Sequence, residues 1–296
     1  MQERIKDIPH KLQMLHKYFF RSKPHEGPIE ETDLGIRYLD LNLDQLYEQI
    51  LSYSSKLQVE ILGEVRHHSK SYPLYKVTKD APVNSPRLLV LSALHGNEQA
   101  ASLAVPPLLQ DLTSTLHFRN THVSVVTPIN PVGVDHKSRY NGQGLDINRD
   151  FRRFRTKEAA IVRDVVEDVR PNFVVSLHEG PQTDGTFLYV NKFVDKEMSS
   201  GILKDLEDKG ILLADRDFLG RKLKTPGIQS VDSLILVYGL FCKHVLGLQN
   251  SGHFLRDRQI PLITIETPWR NPDTSQRIDP HIEVIRGVVK RLKEAS

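Results

Sequence analysis

Three continuous apolar runs constrain the fold of this chain more than any other feature of its sequence. Residues 87–94 (RLLVLSAL), 173–177 (FVVSL) and 261–265 (PLITI) are strand-length runs that stop at polar residues. Such runs are typical of central strands covered on both faces. Helical patterns alternate with them, most clearly at 157–169 and 281–295. We therefore predict an α/β fold: a single domain with a mixed, mostly parallel, twisted sheet and helices on both faces.

Shorter patterns predict the rest of the sheet. Residues 59–67 and 72–78 are rich in β-forming side chains and partly alternate, which predicts two strands of a hairpin or meander. Residues 121–129 and 186–191 predict two further strands.

Two more segments have helical patterns. Apolar residues recur at helical spacing over 41–57, and Asn42 is a candidate N-cap. Residues 98–112 are helical in composition, but Pro106 and Pro107 must kink or interrupt that helix.

The length of 296 residues allows one large domain with a sizeable core. We expect residues 1–42 to form an N-terminal extension that packs on the domain, which spans residues 43–296. No internal repeat, low-complexity tract or long linker interrupts this range.

Composition excludes several classes of protein. The net charge of +3 is too small for a nucleic-acid-binding surface, and the single cysteine, Cys242, excludes a disulfide framework or a cysteine-rich zinc finger. No apolar run approaches the roughly 20 residues of a membrane span. The first residues lack the pattern of a signal peptide. We therefore expect a cytoplasmic protein that does not bind nucleic acid.

Polar residues gather where the predicted strands end. The first run stops at His95-Gly96-Asn97-Glu98, the second at His178 and the third at Glu266. Because ligands bind beyond the carboxyl ends of strands in open α/β sheets, two imidazoles and two carboxylates can converge there.

Three of these residues form a donor set suited to zinc. A catalytic zinc site uses three nitrogen or oxygen ligands and leaves a fourth position for water, and His95, Glu98 and His178 supply that set. Gly96 permits a sharp turn between the first two. Taken alone, the His-x-x-Glu pair is a weak signal, since both residues could simply cap a helix.

Further motifs follow in a fixed order. They are N-P-V-G at 130–133, R-Y-N-G-Q-G-L-D-I-N-R-D-F at 139–151, and T-I-E-T-P at 264–268. This order, with His-x-x-Glu before it and a strand ending in histidine within it, resembles the zinc carboxypeptidase superfamily. The resemblance runs from about Leu43 to the C-terminus, and its 139–151 segment is long and specific.

The resemblance implies roles for individual residues. It implies one zinc ion per chain, bound by His95, Glu98 and His178. Glu266 matches the general base, which takes a proton from the attacking water and passes it to the leaving amine. Arg139 matches the arginine that polarises the scissile carbonyl and stabilises the oxyanion.

Asn148 and Arg149 match the pair that binds the terminal carboxylate of the substrate. A planar guanidinium beside an amide donor suits a carboxylate. Structural roles stay open for these positions: Asn148 and Arg149 could stabilise their loop through Asp146 and Asp150, and Arg139 could be a solvated loop residue.

Several other polar and aromatic residues have no clear counterpart in the motifs of the zinc carboxypeptidase superfamily. Glu179, beside His178, is expected to lie outside the ligand shell or to face solvent. Tyr238 is a candidate for the tyrosine that closes over substrate in the digestive enzymes, but apolar packing is the favoured interpretation. The basic run at 151–157 is expected to be a solvated helix entry, with attraction of an acidic substrate as an alternative. The remaining histidines singled out are expected at the surface or in packing: His67, His68, His136, His244 and His253.

The resemblance implies a zinc-dependent hydrolase that cleaves the C-terminal amide bond of a peptide, either a metallocarboxypeptidase or a peptide amidase. The alternative is an N-acyl amino acid deacylase resembling succinylglutamate desuccinylase and aspartoacylase, which share H-G-N-E and a D-x-N-R-x-F segment. A catalytically silent zinc-binding or peptide-binding module is a third possibility. The expected partner is a peptide or acylated amino acid with a free carboxylate.

Overall fold

The computed structural model describes residues 35–181, 185–216, 222–229 and 247–294. In these ranges the strands are β1 (Gln58–His67), β2 (Lys70–Lys79), β3 (Arg87–Leu91), β4 (His122–Thr127), β5 (Phe173–Gly180), β6 (Phe187–Val190), β7 (Ile228–Gln229) and β8 (Leu262–Pro268). The helices are α1 (Leu43–Ser52), α2 (Gln99–Leu103), α3 (Val105–Ser114), α4 (Pro131–Asp135), α5 (Lys157–Val169), α6 (Lys196–Asp208), α7 (Ser251–Asp257) and α8 (Ser275–Glu294). Short 3₁₀ helices occupy Leu116–Phe118 and Ile147–Arg149.

The strands form one mixed sheet in the order β1-β2-β4-β3-β5-β8-β6-β7. The central strands β4, β3, β5 and β8 run parallel to one another. The predicted hairpin of β1 and β2 is antiparallel and joins β4 in antiparallel register. The predicted fold class is therefore confirmed, with the parallel strands at the centre.

Alternate residues of the central strands face two separate cores, as the period of two in a strand requires. Leu88 and Val90 pack on one face of the sheet, in the core that includes residues of α1, α3 and α8. Leu89 and Leu91 pack on the other face with residues of α5 and α7. Because both faces are covered, these strands read as continuous apolar runs rather than alternating ones.

Local signals set several element boundaries. The side chain of Asn42 accepts a hydrogen bond from the Gln45 backbone nitrogen at 3.0 Å, so the predicted N-cap is present at the start of α1. The predicted interruption by Pro106 and Pro107 is present as well. It divides the segment into α2 and α3 at Ala104, with prolines at the start of α3, where a missing N–H costs no helical hydrogen bond.

Other boundaries differ from the prediction. The first apolar run was expected to be a strand up to Leu94, but β3 ends at Leu91. Ala93 has a positive φ of 57°, and this left-handed conformation turns the chain out of the sheet. Helix α8 begins at Ser275, six residues before the predicted start, and α6 and α7 were not predicted.

The segment before α1 lies against the domain. The Leu39 backbone nitrogen donates to the Gln99 side chain, and the Arg37 backbone nitrogen donates to the Trp269 carbonyl. The rest of the proposed N-terminal extension, residues 1–34, lies outside the described residues. Among the helices that the structure describes, none is both long and apolar enough to cross a bilayer.

Candidate active site

The three candidate metal ligands come from three different elements and meet at the carboxyl ends of the central strands. His95 lies in the loop after β3, Glu98 is the N-cap residue of α2, and His178 lies near the end of β5. All three are buried, and one ligand atom from each lies within 4.8 Å of the others. Within the described ranges, this is the group of histidine, cysteine and acidic side chains suited to hold a metal ion.

Glu98 lies between the two imidazoles. Its Oε1 lies 2.6 Å from His95 Nδ1, and its Oε2 lies 2.7 Å from His178 Nδ1. The Glu179 backbone nitrogen also donates to Glu98 Oε2, at 3.2 Å. Both histidines therefore present the same ring nitrogen, Nδ1, to a single carboxylate.

Gly96 is required here for space. A Cβ atom at Gly96 would lie 1.9 Å from the Gly133 carbonyl carbon and 2.1 Å from the Val134 nitrogen. Backbone atoms cannot move aside as a flexible side chain can, so the loop between His95 and Glu98 packs this closely on α4 because position 96 has no side chain. A sharp turn was expected to require this glycine, but its close contact with α4 is the stronger constraint.

Electrostatics keep Glu98 ionised. Burial alone raises the pKa of this carboxyl, but the His95 and His178 imidazoles outweigh burial and lower it. Burial lowers the pKa of His178, which favours the neutral imidazole that a metal ligand must be. Burial and Arg139 lower the pKa of His95, but Glu98 and Asp146 outweigh them and raise it, so of the two imidazoles only that of His178 is shifted towards the neutral form.

Arg139 lies against this cluster. Its Nη1 is 3.2 Å from His95 Nδ1 and 3.5 Å from Glu98 Oε1, and its Nε donates to Asp146 Oδ2 at 3.0 Å. Its side chain is only 9% exposed, so the solvated alternative for this residue is wrong. The structure thus places a fixed cation beside the three candidate ligands.

Asp146 contacts several parts of the site, although its position in the sequence predicts only a role in stabilising the loop. Its Oδ1 lies 3.3 Å from His95 Nε2, without the geometry of a well-formed hydrogen bond, and accepts from the Asn148 backbone nitrogen at 2.9 Å. Burial raises its pKa, but Arg139 and Arg149 oppose burial and hold the pKa well below its usual range. An ionised carboxylate behind a ligand histidine orients the ring and raises its basicity. A carboxylate is therefore expected near each ligand histidine, and this expectation could have identified Asp146 as a candidate.

Glu266 lies on β8 directly opposite His178 on β5. Burial raises the pKa of Glu266 well above its usual range, Glu98 and Glu179 raise it further, and Arg139 opposes them. Proton acceptors used in catalysis commonly have raised pKa values of this kind.

Asn148 and Arg149 lie on the 3₁₀ helix that follows Asp146. Asn148 Oδ1 accepts from both the backbone nitrogen and the Oγ of Ser251, each at 2.9 Å. Because the oxygen of this amide is bound to the start of α7, its NH₂ group is the part left to donate to a ligand. Arg149 Nη1 donates to the backbone carbonyl of Asn148 at 2.9 Å, which restrains the guanidinium next to the main chain of that residue.

Glu179 does not face solvent. Its side chain is completely buried and accepts from Arg277 Nε and from the Ala100 nitrogen, each at 2.8 Å. The part of the prediction that placed it outside the ligand shell agrees with this geometry. No local pattern indicates its pairing with Arg277, which is 98 residues away in the chain.

The remaining residues singled out in the sequence lie elsewhere or are not described. His67 contacts His68 and His136, with ring centroids 4.2 Å and 5.4 Å apart, and none of these histidines belongs to the group of three candidate ligands. Arg152, Arg153 and Arg155 are exposed, as expected for a solvated helix entry. Tyr238, Cys242 and His244 lie outside the described residues.

The donor set fits zinc. Two imidazole nitrogens and one carboxylate oxygen are ligands that zinc takes in catalytic sites, and the buried carboxylate of Asp146 supports one of them from behind. The absence of a thiolate from the set argues against metals that select sulfur ligands.

Residues 71–175 match a family described as a protein of unknown function (DUF2817). No curated protein sequence matches the chain.

Several solved structures share the fold. A proposed metallopeptidase from Shewanella denitrificans OS217 has a TM-score of 0.64 at 20% identity, over 84% of this chain and 90% of that chain. A metallo-carboxypeptidase from Burkholderia cenocepacia has a TM-score of 0.62 at 13% identity, over 84% and 69% of the two chains. A metallo-carboxypeptidase from Pseudomonas aeruginosa, in complex with (2-guanidinoethylmercapto)succinic acid, has a TM-score of 0.58 at 16% identity, over 88% and 70%. The chain therefore has the zinc carboxypeptidase fold, as the motifs in its sequence predict.

Proposed function

We propose that this protein is a zinc-dependent metallocarboxypeptidase, which cleaves the C-terminal amide bond of a peptide. The observation that carries the proposal is the buried His95–Glu98–His178 cluster with Arg139 3.2 Å from one of its imidazole nitrogens. The metallo-carboxypeptidases of the same fold support it as well. When bound, zinc supplies a Lewis acid that lowers the pKa of water and polarises a carbonyl group.

Glu266 serves as the general base in this proposal. Its position opposite His178 puts its carboxylate beside the ligands without making it one of them. It accepts a proton from the attacking water and delivers it to the leaving amine, which departs poorly as an anion.

Arg139 stabilises the developing oxyanion. Asp146 fixes the Arg139 side chain through its Nε, so the Nη atoms are held in place before the reaction begins. A preorganised cation of this kind gains strength as charge develops on the carbonyl oxygen in the transition state.

Asn148 and Arg149 recognise the terminal carboxylate of the substrate. The bond from Ser251 occupies Asn148 Oδ1, so the amide NH₂ is the part of this side chain left to donate, and the Arg149 guanidinium is bonded to the backbone carbonyl of the same residue. Together they offer paired donors that match the two oxygens of a carboxylate. The substrate class is therefore a peptide with a free C-terminus.

The proposal is tested by metal analysis together with a hydrolysis panel. Protein purified without chelator is expected to contain one zinc per chain and to release C-terminal residues from unmodified peptides. The panel should also include amidated peptides, murein-type peptides and N-acyl aspartate and glutamate. Zinc below stoichiometric levels, or hydrolysis confined to the acyl amino acids, would contradict the proposed function.

A further inference from the structure

Glu179, the residue after the candidate ligand His178, is a buried acid. Its contacts connect it to the helix that begins at another candidate ligand, Glu98. The Glu179 side chain has no exposed surface, and its partner Arg277 is 1% exposed. A buried ion pair of this kind contributes little net stability compared with apolar side chains of the same volume. The geometry of the pair therefore needs a reason other than stability.

The reason lies at the start of α2. Glu98 holds the N-cap position of this helix, but its side chain makes no capping hydrogen bond, because its carboxylate faces the two imidazoles. Glu179 Oε2 accepts from the Ala100 nitrogen instead, at 2.8 Å. A carboxylate from β5 thus caps the helix that carries Glu98 and satisfies a donor that would otherwise be left without a partner.

Arg277 holds Glu179 in that position. Its Nε donates to Glu179 Oε1, and its Nη1 donates to the Arg37 carbonyl at 2.5 Å. Arg277 lies in the first turns of α8, which packs on the sheet. The guanidinium is therefore fixed on two sides and leaves the Glu179 carboxylate a single orientation.

We propose that Glu179 is a positioning residue for the metal site, which sets the start of α2 so that Glu98 faces His95 and His178. The inference rests on the proposed zinc site and adds to it a residue that touches neither metal nor substrate. Glu179 acts on Glu98 through the backbone nitrogen of Ala100, which lies two residues after Glu98 in the chain. Support of this kind from outside the ligand shell commonly accounts for a 10- to 100-fold difference in metal affinity.

The test is the zinc affinity of the full chain, measured by competition with a chromophoric chelator at 25 °C. Glu179→Gln keeps the size of the side chain, but its amide cannot accept from both Arg277 and Ala100. We expect zinc to bind this variant at least about tenfold more weakly than the wild type. Circular dichroism and the thermal midpoint of the metal-free protein are recorded alongside, so that a loss of fold is detected separately.

Asp111→Asn is the matched control. Asp111 accepts from Arg286 Nε at 2.8 Å, so this variant also breaks an ion pair to α8, but one that does not contact the ligands. Zinc affinity within twofold of wild type is expected. If Glu179→Gln is recovered only unfolded, Arg277→Lys replaces it, because lysine keeps the charge but not the fixed fork of donors. Zinc binding weaker than in the Asp111→Asn variant is then expected.

Two results would overturn the inference. One is wild-type zinc affinity in the folded Glu179→Gln or Arg277→Lys variant, and the other is equal weakening in Asp111→Asn. Both are distinct from failure of the proposed function, in which the wild-type protein itself binds no zinc.

Discussion

His178 and Glu266 lie opposite each other on the adjacent parallel strands β5 and β8. One is a candidate metal ligand, and the other is the candidate base. Neighbouring positions on two parallel strands are among the most rigidly related places in a sheet, because the ladder of backbone hydrogen bonds sets their separation. The position of the candidate base relative to the candidate ligand His178 therefore depends on sheet register rather than on a loop.

The first prediction concerns the metal. His178→Ala removes one of the three ligands, so the variant is expected to lose most of its zinc and its activity. Elemental analysis after gel filtration measures the zinc content. His136→Ala, which removes an exposed histidine away from the cluster, is the control and is expected to keep zinc. Stoichiometric zinc in His178→Ala would show that the ion is bound elsewhere.

The second prediction concerns the base. Glu266→Gln keeps the shape of the side chain but removes the proton acceptor, so kcat is expected to fall by about 10²- to 10⁴-fold while zinc content stays at the wild-type level. Steady-state kinetics together with metal analysis separate the two effects. Near-wild-type turnover would exclude Glu266 as the base.

The third prediction concerns Arg139. Arg139→Ala is expected to lower kcat on the order of a hundredfold or more, since the guanidinium acts on charge that develops in the transition state. Arg139→Lys retains a cation but loses the fork that binds Asp146, so it should recover part of the rate. If Arg139→Ala changed only KM, Arg139 would contribute to binding of the substrate and not to stabilisation of the transition state.

The fourth prediction concerns the substrate carboxylate. Peptides are expected to lose most of their rate on C-terminal amidation, because amidation removes the anion that the half-buried donors of Asn148 and Arg149 would bind. Arg149→Ala should narrow the difference between free and amidated peptides, whereas Arg152→Ala, at an exposed position of the same loop, should not. Equal rates on the two kinds of peptide with the wild-type enzyme would refute recognition of the terminal carboxylate.

The fifth prediction concerns stability and pH. Burial lowers the pKa of His281 from 6.5 to about 3, and its Nε2 lies 3.2 Å from Thr267 Oγ1. Below pH 6.5 the unfolded chain binds a proton at this residue that the folded chain does not, so the free energy of unfolding falls with falling pH. The expected loss from this residue is about 2 kcal/mol between pH 6.5 and pH 5.

Urea unfolding at several pH values, with chelator present throughout, measures this dependence. The asparagine side chain of His281→Asn cannot take up this proton. The number of protons bound on unfolding below pH 6.5 should therefore fall by about one, and the slope of the unfolding free energy against pH should fall accordingly. An unchanged slope in the variant would show that His281 does not contribute to it.

Much of the local structure could be predicted because it depends on short-range patterns. The predicted helix Lys157–Val169 has its expected bounds, with Thr156 as a capping residue whose side chain accepts from the Ala159 nitrogen. The hairpin and the central strands were also predicted correctly, because the pattern of apolar side chains that marks a strand is complete within a few consecutive residues. Helix α6 was missed although its N-cap, Asp195, was available as a signal.

The sequence by itself determined the residue types and the order of the candidate site: His95, Glu98 and His178, then Glu266 near the end of the last strand. Only the tertiary structure decided how these residues are held. Asn148 depends on Ser251, 103 residues away, and Glu179 depends on Arg277, 98 residues away. Such contacts arise where separate strands and helices meet, and no spacing along the chain encodes them. For this reason the candidate ligands and the candidate base can be predicted from sequence motifs. The contacts that hold these side chains in place form only when distant strands and helices pack together.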